Sequence, residues 1–181
     1  MFHRTQRLFL RPVFPDDWEA IFAGIADETV VRNLAKAPWP YRPKDAKAFA
    51  ARGQDPSLPS FIVTEPTARG ERLIGSAGLG EDAGEVEVGY WIAREYWGRG
   101  YASEALAGVI EVARMLGLDR LTAGHFLDNP ASGRVLEKNG FTPTGRVMPR
   151  FSCGRGKESL VRQYERLLGA GMASGDEPQA A

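Results

Sequence analysis

A chain of 181 residues, 43% apolar and 25% charged, is long enough for one domain with a sizeable core. Its 23 lysines and arginines balance 23 aspartates and glutamates, which gives no ground for nucleic-acid or membrane-surface binding. No apolar run approaches a membrane span, the first residues lack the apolar core of a signal peptide, one cysteine (Cys153) excludes an intrachain disulfide or cysteine-rich metal site, and two histidines (His3, His125) do not make a zinc motif. A cytoplasmic, metal-free protein is expected.

In chain order, residues 5–12 read as a first strand, with Leu8 and Leu10 on one face and Arg7, Phe9 and Arg11 on the other. Pro15 can open a helix whose apolar stripe is Trp18, Ile21, Phe22 and Ile25, and a second short helical piece is predicted over 27–35. The run Pro38-Trp39-Pro40-Tyr41-Arg42-Pro43 forbids regular structure; its aromatics either line a pocket or cap the core. A helix over 44–52 and strands over 60–65 and 72–79 follow, joined by a turn at 67–70, and a second turn at 80–84 leads to the next strand. These successive strands on short turns predict an antiparallel meander.

Residues 85–116 organise the rest. Glu85 and Glu87 alternate with Val86 and Val88, then Gly89, Tyr90, Trp91 and Ile92 complete a strand. Ala102, Ala105, Leu106, Val109, Ile110, Ala113 and Leu116 recur at helical spacing, with Gly117 as the stop. Between them lies Gly98-Arg99-Gly100, where free N–H groups at a helix start, a fixed cation and missing side chains make a pyrophosphate cradle plausible. It matches neither the P-loop nor the dinucleotide fingerprint, since Tyr101-Ala102-Ser103 replaces the third glycine. An isolated Gly-x-Gly is more often an ordinary tight turn.

A strand over 120–127 must run parallel to 85–92, forming a right-handed β-α-β unit. Asn129 and Pro130 open a helix through Lys138, stopped by Asn139-Gly140. Residues 141–148 and 158–167 read as a closing strand pair around the turn 153–156, and 169–181 as a disordered tail after one domain over 5–168.

Four ordered segments resemble the GNAT N-acetyltransferase superfamily, in particular its RimJ/RimL-like branch: R-L-F-L-R-P at 7–12, E-V-G-Y-W-I at 87–92, Y-W-G-R-G-Y-A-S-E-A at 96–105 and D-N-P-A-S-G-R-V-L-E-K-N-G-F at 128–141. The resemblance implies an α/β fold of the α+β type: a central mixed, mostly antiparallel sheet with two splayed parallel strands, flanked by helices. It implies acetyl-CoA in the splayed gap, its pantetheine arm pairing with the backbone of Tyr90, Trp91 and Ile92. Its pyrophosphate would lie on the N–H groups of Trp97, Gly98, Arg99, Gly100, Tyr101 and Ala102, with Asn129 on the pantetheine and Ser132 near the sulfur. Two positions depart from the superfamily: Glu95 opens the glycine motif, as is frequent in this branch, and Leu136 stands where many members carry a tyrosine proposed to protonate the thiolate. That role passes to Ser132, Tyr101 or water.

Acetyl transfer to an amine needs a base, because an amine with a pKa near 10.4, or about 7.7–8.0 for a protein N-terminus, arrives largely protonated. Glu87 is the candidate base, through resemblance to the strand glutamate proposed for related enzymes; a solvent-facing strand residue is the alternative and is preferred for Glu85. Oxyanion donors are expected among backbone N–H groups of 87–92, with Gly89 marking a bulge or merely relieving packing. Asn129 serves as N-cap in any case, and Cys153 is expected to be inert. The acceptor is a protein N-terminal α-amine or a small amine, bound by loops 27–59 and 148–157, and a homodimer is compatible with all of this. A non-catalytic acyl-CoA-binding module is the other reading, from which a retained Glu87 argues away.

Overall fold

The computed structural model describes residues 1–169; apart from Gly169, the predicted tail lies outside the described residues. Eight strands form one sheet in the order β1-β2-β3-β4-β5-β6-β8-β7. They are β1 (His3–Arg4), β2 (Phe9–Pro12), β3 (Ser60–Thr67), β4 (Gly70–Asp82), β5 (Glu85–Ile92), β6 (Arg120–Phe126), β7 (Thr142–Ser152) and β8 (Lys157–Leu167). The helices are α1 (Trp18–Ile25), α2 (Glu28–Val31), α3 (Pro43–Ala50), α4 (Tyr101–Met115) and α5 (Pro130–Lys138).

The predicted meander is β3-β4-β5, antiparallel throughout. Its second turn is tighter than predicted: β4 runs on to Asp82, and only Ala83 and Gly84, both at positive φ, make the reversal. The predicted strand 5–12 is shortened to Phe9–Pro12, because residues 5–8 fold back so that β1 pairs with β2. Thr5 closes this reversal through its backbone N–H to Leu8 O at 2.9 Å. Side chains of Leu8, Leu10, Ile62, Ile74, Leu106, Ile110 and Leu121 are almost fully buried between the sheet and its helices.

β5 and β6 are the only parallel neighbours among the described strands, and their register is one pair, Glu87 with Thr122. Beyond that pair β5 continues to Ile92 without a strand on its β6 side, so the sheet opens into a gap. The expected mixed, mostly antiparallel sheet with splayed parallel strands is the observed one. α4 follows β5 because an alanine- and leucine-rich stripe fits under the sheet, where Ala105, Leu106, Val109, Val112 and Ala113 are buried. Gly117, at φ 74°, ends it, with its N–H to Arg114 O and that of Leu118 to Ala113 O, both at 3.0 Å.

Candidate active site

Successive strand residues face opposite sides of a sheet, so Tyr90 and Glu87 on β5 point to different faces. Tyr90 points toward α5, where its hydroxyl lies 2.8 Å from Ser132 Oγ. Burial pushes the phenol up to about 12, against the lowering effect of the Ser132 hydrogen bond, so it stays protonated at neutral pH. Ser132 is held there by the N-cap: its N–H donates to Asn129 Oδ1 at 3.4 Å and to Asn129 O at 3.2 Å. Sequence reasoning assigned Tyr90 through its backbone alone. The alternating pattern E-V-E-V-G-Y was the available signal that its side chain shares a face with Val88, away from Glu87. Leu136 is 1% exposed and belongs to the core.

The backbone of β5 can be oriented by its ladder. Ala93 N–H donates to Ile74 O at 2.8 Å, and in an antiparallel pair alternate residues direct both backbone groups to the same neighbour. Trp91 and Gly89 therefore face β4, whereas Val88, Tyr90 and Ile92 face the gap. The expected trio of Tyr90, Trp91 and Ile92 divides accordingly. Trp91 has no backbone group for a ligand in the gap, and its indole packs toward Gly24 of α1. Ile92 O accepts from the indole Nε1 of Trp97 at 2.6 Å. Tyr90 alone of the three presents both N–H and C=O to the gap.

Gly89 marks no bulge. The β4–β5 register is continuous from Gly75–Ile92 to Asp82–Glu85, and the irregularity lies between Val63 and Thr64 on β3. A Cβ on Gly89 would meet nothing within 4 Å, so the residue is a stretch of bare backbone opening on the Glu87 face. Glu87 itself is not a free strand carboxylate. Its Oε1 accepts from Arg150 Nη1 at 2.8 Å, while Arg150 Nη2 donates to Asp82 Oδ2 at 2.7 Å. Both Glu87 and Arg150 are largely shielded, with side chains 20% and 23% exposed. Glu85 is paired outside the site with Arg120.

Gly98 and Gly100 both have positive φ, 77° and 79°, and Gly100 is the N-cap of α4. That conformation is why glycine stands at both positions, and it leaves the first N–H groups of α4 uncovered by side chains. A cradle for a diphosphate fits this backbone, whose N–H groups and helix dipole both favour an anion. Arg99 lies over the Tyr96 ring at 5.5 Å. Tyr101 is removed from the chemistry because its hydroxyl donates to Glu65 on β3, and that hydrogen bond, with burial, raises the phenol's pKa.

A cavity of about 1170 Å³ joins these parts, large enough for a cofactor arm and an acceptor together. It runs from Gly98, Gly100 and Ser103 past Tyr90, Asn129 and Ser132 to Glu87 and Arg150. The Glu87 end is bordered by segments from the two predicted loops. The proline loop divides its roles: Tyr41 is buried and lines the cavity, and Trp39 is 38% exposed. The β7–β8 hairpin is tied to the α2–α3 connection by Ser152 Oγ to Leu34 O at 3.1 Å and by Cys153 N–H to Ala35 O at 2.8 Å. Cys153 is exposed and borders the cavity. Arg155 grips Asp128 through Nη1 and Nη2 at 2.9 and 2.8 Å and donates from Nε to Arg32 O at 2.6 Å, so residues missed by sequence reasoning join the hairpin to the α5 entry. Among the described residues, no cluster of three or more His, Cys, Asp or Glu is placed to hold a metal ion, and no helix is long and apolar enough to cross a membrane.

Comparison with known proteins agrees with this geometry. Residues 7–142 match the family model described as "Acetyltransferase (GNAT) domain". The uncharacterized N-acetyltransferase YoaA of Bacillus subtilis is 33% identical over 169 residues, covering 88% of this chain and 85% of that protein. Among solved structures, a GNAT-family acetyltransferase from Bacillus anthracis superposes with a TM-score of 0.78 at 24% identity, covering 93% of this chain and 99% of that one. The ribosomal L7/L12 α-N-protein acetyltransferase RimL, solved with coenzyme A, gives 0.73 at 18% identity over 92% and 98% of the two chains. At those identities the structures speak for the fold, and the family match and YoaA for the kinship. The chain belongs to the GNAT acetyltransferase family, is an acetyltransferase, and uses acetyl-CoA as its donor.

Proposed function

We propose that the protein acetylates a primary amine, and that the acceptor is the N-terminal α-amine of a protein or peptide. The observation that carries this reading is the placement of Glu87 and the Tyr90–Ser132 pair on opposite faces of β5, where the sheet opens. Acetyl-CoA supplies a thioester open to attack by an amine. Glu87 receives the amine's proton, directly or through water; its Oε2 has no hydrogen-bond partner among the described residues. The N–H of Tyr90, aimed into the gap, opposes charge building on the carbonyl oxygen. The Ser132 hydroxyl, kept in place by the Tyr90 phenol, donates a hydrogen bond to the departing thiolate, which takes its proton from solvent. Gly98 and Gly100 keep the first turn of α4 open for the pyrophosphate.

One consideration favours an α-amine over a polyamine. An α-amine, with a pKa of about 7.7–8.0 against about 10.4 for a lysine-like amine, asks less of the base. A panel of N-terminal peptides, small monoamines and polyamines, offered with acetyl-CoA while free thiol is followed, tests the reading. Peptides are expected to give the highest kcat/KM. Faster turnover of a polyamine would overturn the acceptor, and the absence of thiol release with every amine in the panel would return the protein to a binding role.

A further inference from the structure

Arg7 belongs to the first of the four sequence signatures but to none of the functions assigned above. It sits in the reversal that replaces the first half of the predicted strand. Glu104, in the first turn of α4, draws this reversal against the glycine turn. Its Oε1 accepts from Thr5 Oγ1 and from the backbone N–H of Arg7, each at 2.6 Å, and its Oε2 accepts from Arg7 Nε at 2.7 Å. The Glu104 side chain is 14% exposed. Burial alone would raise its carboxyl, but these hydrogen bonds together hold it below the usual range.

Arg7 Nη1 then donates to Arg99 O inside the glycine turn at 3.1 Å, and the guanidinium lies over the Tyr101 ring at 4.6 Å. Two of its five N–H donors have partners, one on Nε and one on Nη1. Nη2 has no hydrogen-bond partner among the described residues, and it stands 3.6 Å from where a Gly100 Cβ would be. A planar fork fixed on one side and open on the other, beside uncovered helix N–H groups, is the arrangement that suits a phosphate oxygen.

We infer that Arg7 is a ligand of the donor's pyrophosphate: Nε and Nη1 fix the glycine turn, and Nη2 meets a phosphate oxygen. This rests on the acetyl-CoA site described above. The turn offers backbone dipoles and Arg7 adds a formal charge, held in place before binding, so little side-chain freedom is lost when the ligand arrives.

Calorimetric titration of Arg7→Gln with CoA and with dephospho-CoA, which keeps the pyrophosphate and lacks the 3′-phosphate, tests the inference without turnover. A hydrogen bond to a charged group is worth about 1.5–3 kcal/mol, so Kd should rise roughly tenfold to a hundredfold, equally for both ligands. The penalty should shrink as salt is raised from about 0.05 to about 0.5 M, because a partly exposed ionic contact is screened. A loss confined to CoA would move Arg7 to the 3′-phosphate, and a loss unchanged by salt would leave it a brace only; either overturns the inference, as does an unchanged Kd. Wild type that binds neither ligand would overturn the donor site itself. Should Arg7→Gln fail to fold, Arg7→Lys carries the same comparison, with an expected loss of about threefold to tenfold because the charge stays and the fork is gone.

Discussion

The donor half and the acceptor half of the cavity are built differently. The pyrophosphate turn is made by consecutive residues between β5 and α4, and its shape comes from two glycines with left-handed backbone. The acceptor half is assembled by side chains far apart in sequence: Arg150 reaches Glu87 and Asp82 across 63 and 68 residues, and Ser152 and Arg155 reach Leu34 and Arg32 across 118 and 123. A site made by local backbone geometry tolerates change elsewhere and takes one kind of ligand. A site made by ion pairs and hydrogen bonds between segments distant in sequence can change its ligand when one partner changes.

The largest expected effect separates the halves at Glu87. Glu87→Gln keeps shape and removes the base, so kcat/KM should fall by about 10²–10⁴ while the CoA Kd hardly moves. The loss should narrow at high pH, where more acceptor arrives deprotonated, and earlier for an α-amine than for a lysine-like amine. A pH–rate profile beside a CoA titration reads both. Wild-type turnover on the acidic side would remove Glu87 from proton transfer and leave it a partner of Arg150.

The opposite break is made at Gly98→Val. A Cβ there meets no protein atom within 4 Å, so the stability cost is backbone strain alone, about 1–3 kcal/mol. CoA binding should weaken by roughly tenfold to a hundredfold, since hydrogen bonds to a charged group are lost. Comparing the melting temperature without ligand and the CoA Kd distinguishes the two. Stability falling with unchanged affinity would make the turn an ordinary connection.

The smallest effect tests whether the acceptor half is held by exposed charge. Hydrogen bonds from Arg155, helped by the charges of Arg155 and Arg32, hold the Asp128 carboxyl below its ordinary range, against burial. A depressed carboxyl pKa contributes stability above the unfolded value near 3.9 and loses it as pH falls through the folded value. The Asp128 side chain is 44% exposed, so Asp128→Asn should cost under about 1 kcal/mol at pH 7. Denaturant unfolding at pH 7 and again in acid, below the depressed folded value, should show the wild-type advantage at the first and its loss at the second. An advantage that persisted in acid would place the effect in packing.

Local pattern settles those parts of the molecule where neighbours in the chain are neighbours in space. Alternation in 85–92, the helical stripe of α4, the Asn129 N-cap and the glycines at the turn all follow from periods of two or 3.6 residues and from left-handed φ. The family resemblance extended this to the splayed gap. Tertiary structure alone decided what those periods leave open. It turned the strand expected at 5–8 into a reversal, because Glu104 on α4 offers Thr5 and Arg7 better hydrogen bonds than extension does. It left Gly89 without a bulge, took the backbone of Trp91 out of the gap, and sent the Tyr101 hydroxyl to Glu65. It also put Arg150 on Glu87 and the Tyr90 phenol on Ser132, partners separated by 63 and 42 residues. Nothing in a local pattern records such a pairing, because a charge or a hydroxyl on a strand satisfies the period equally well facing water, and only the packed chain brings its partner within reach.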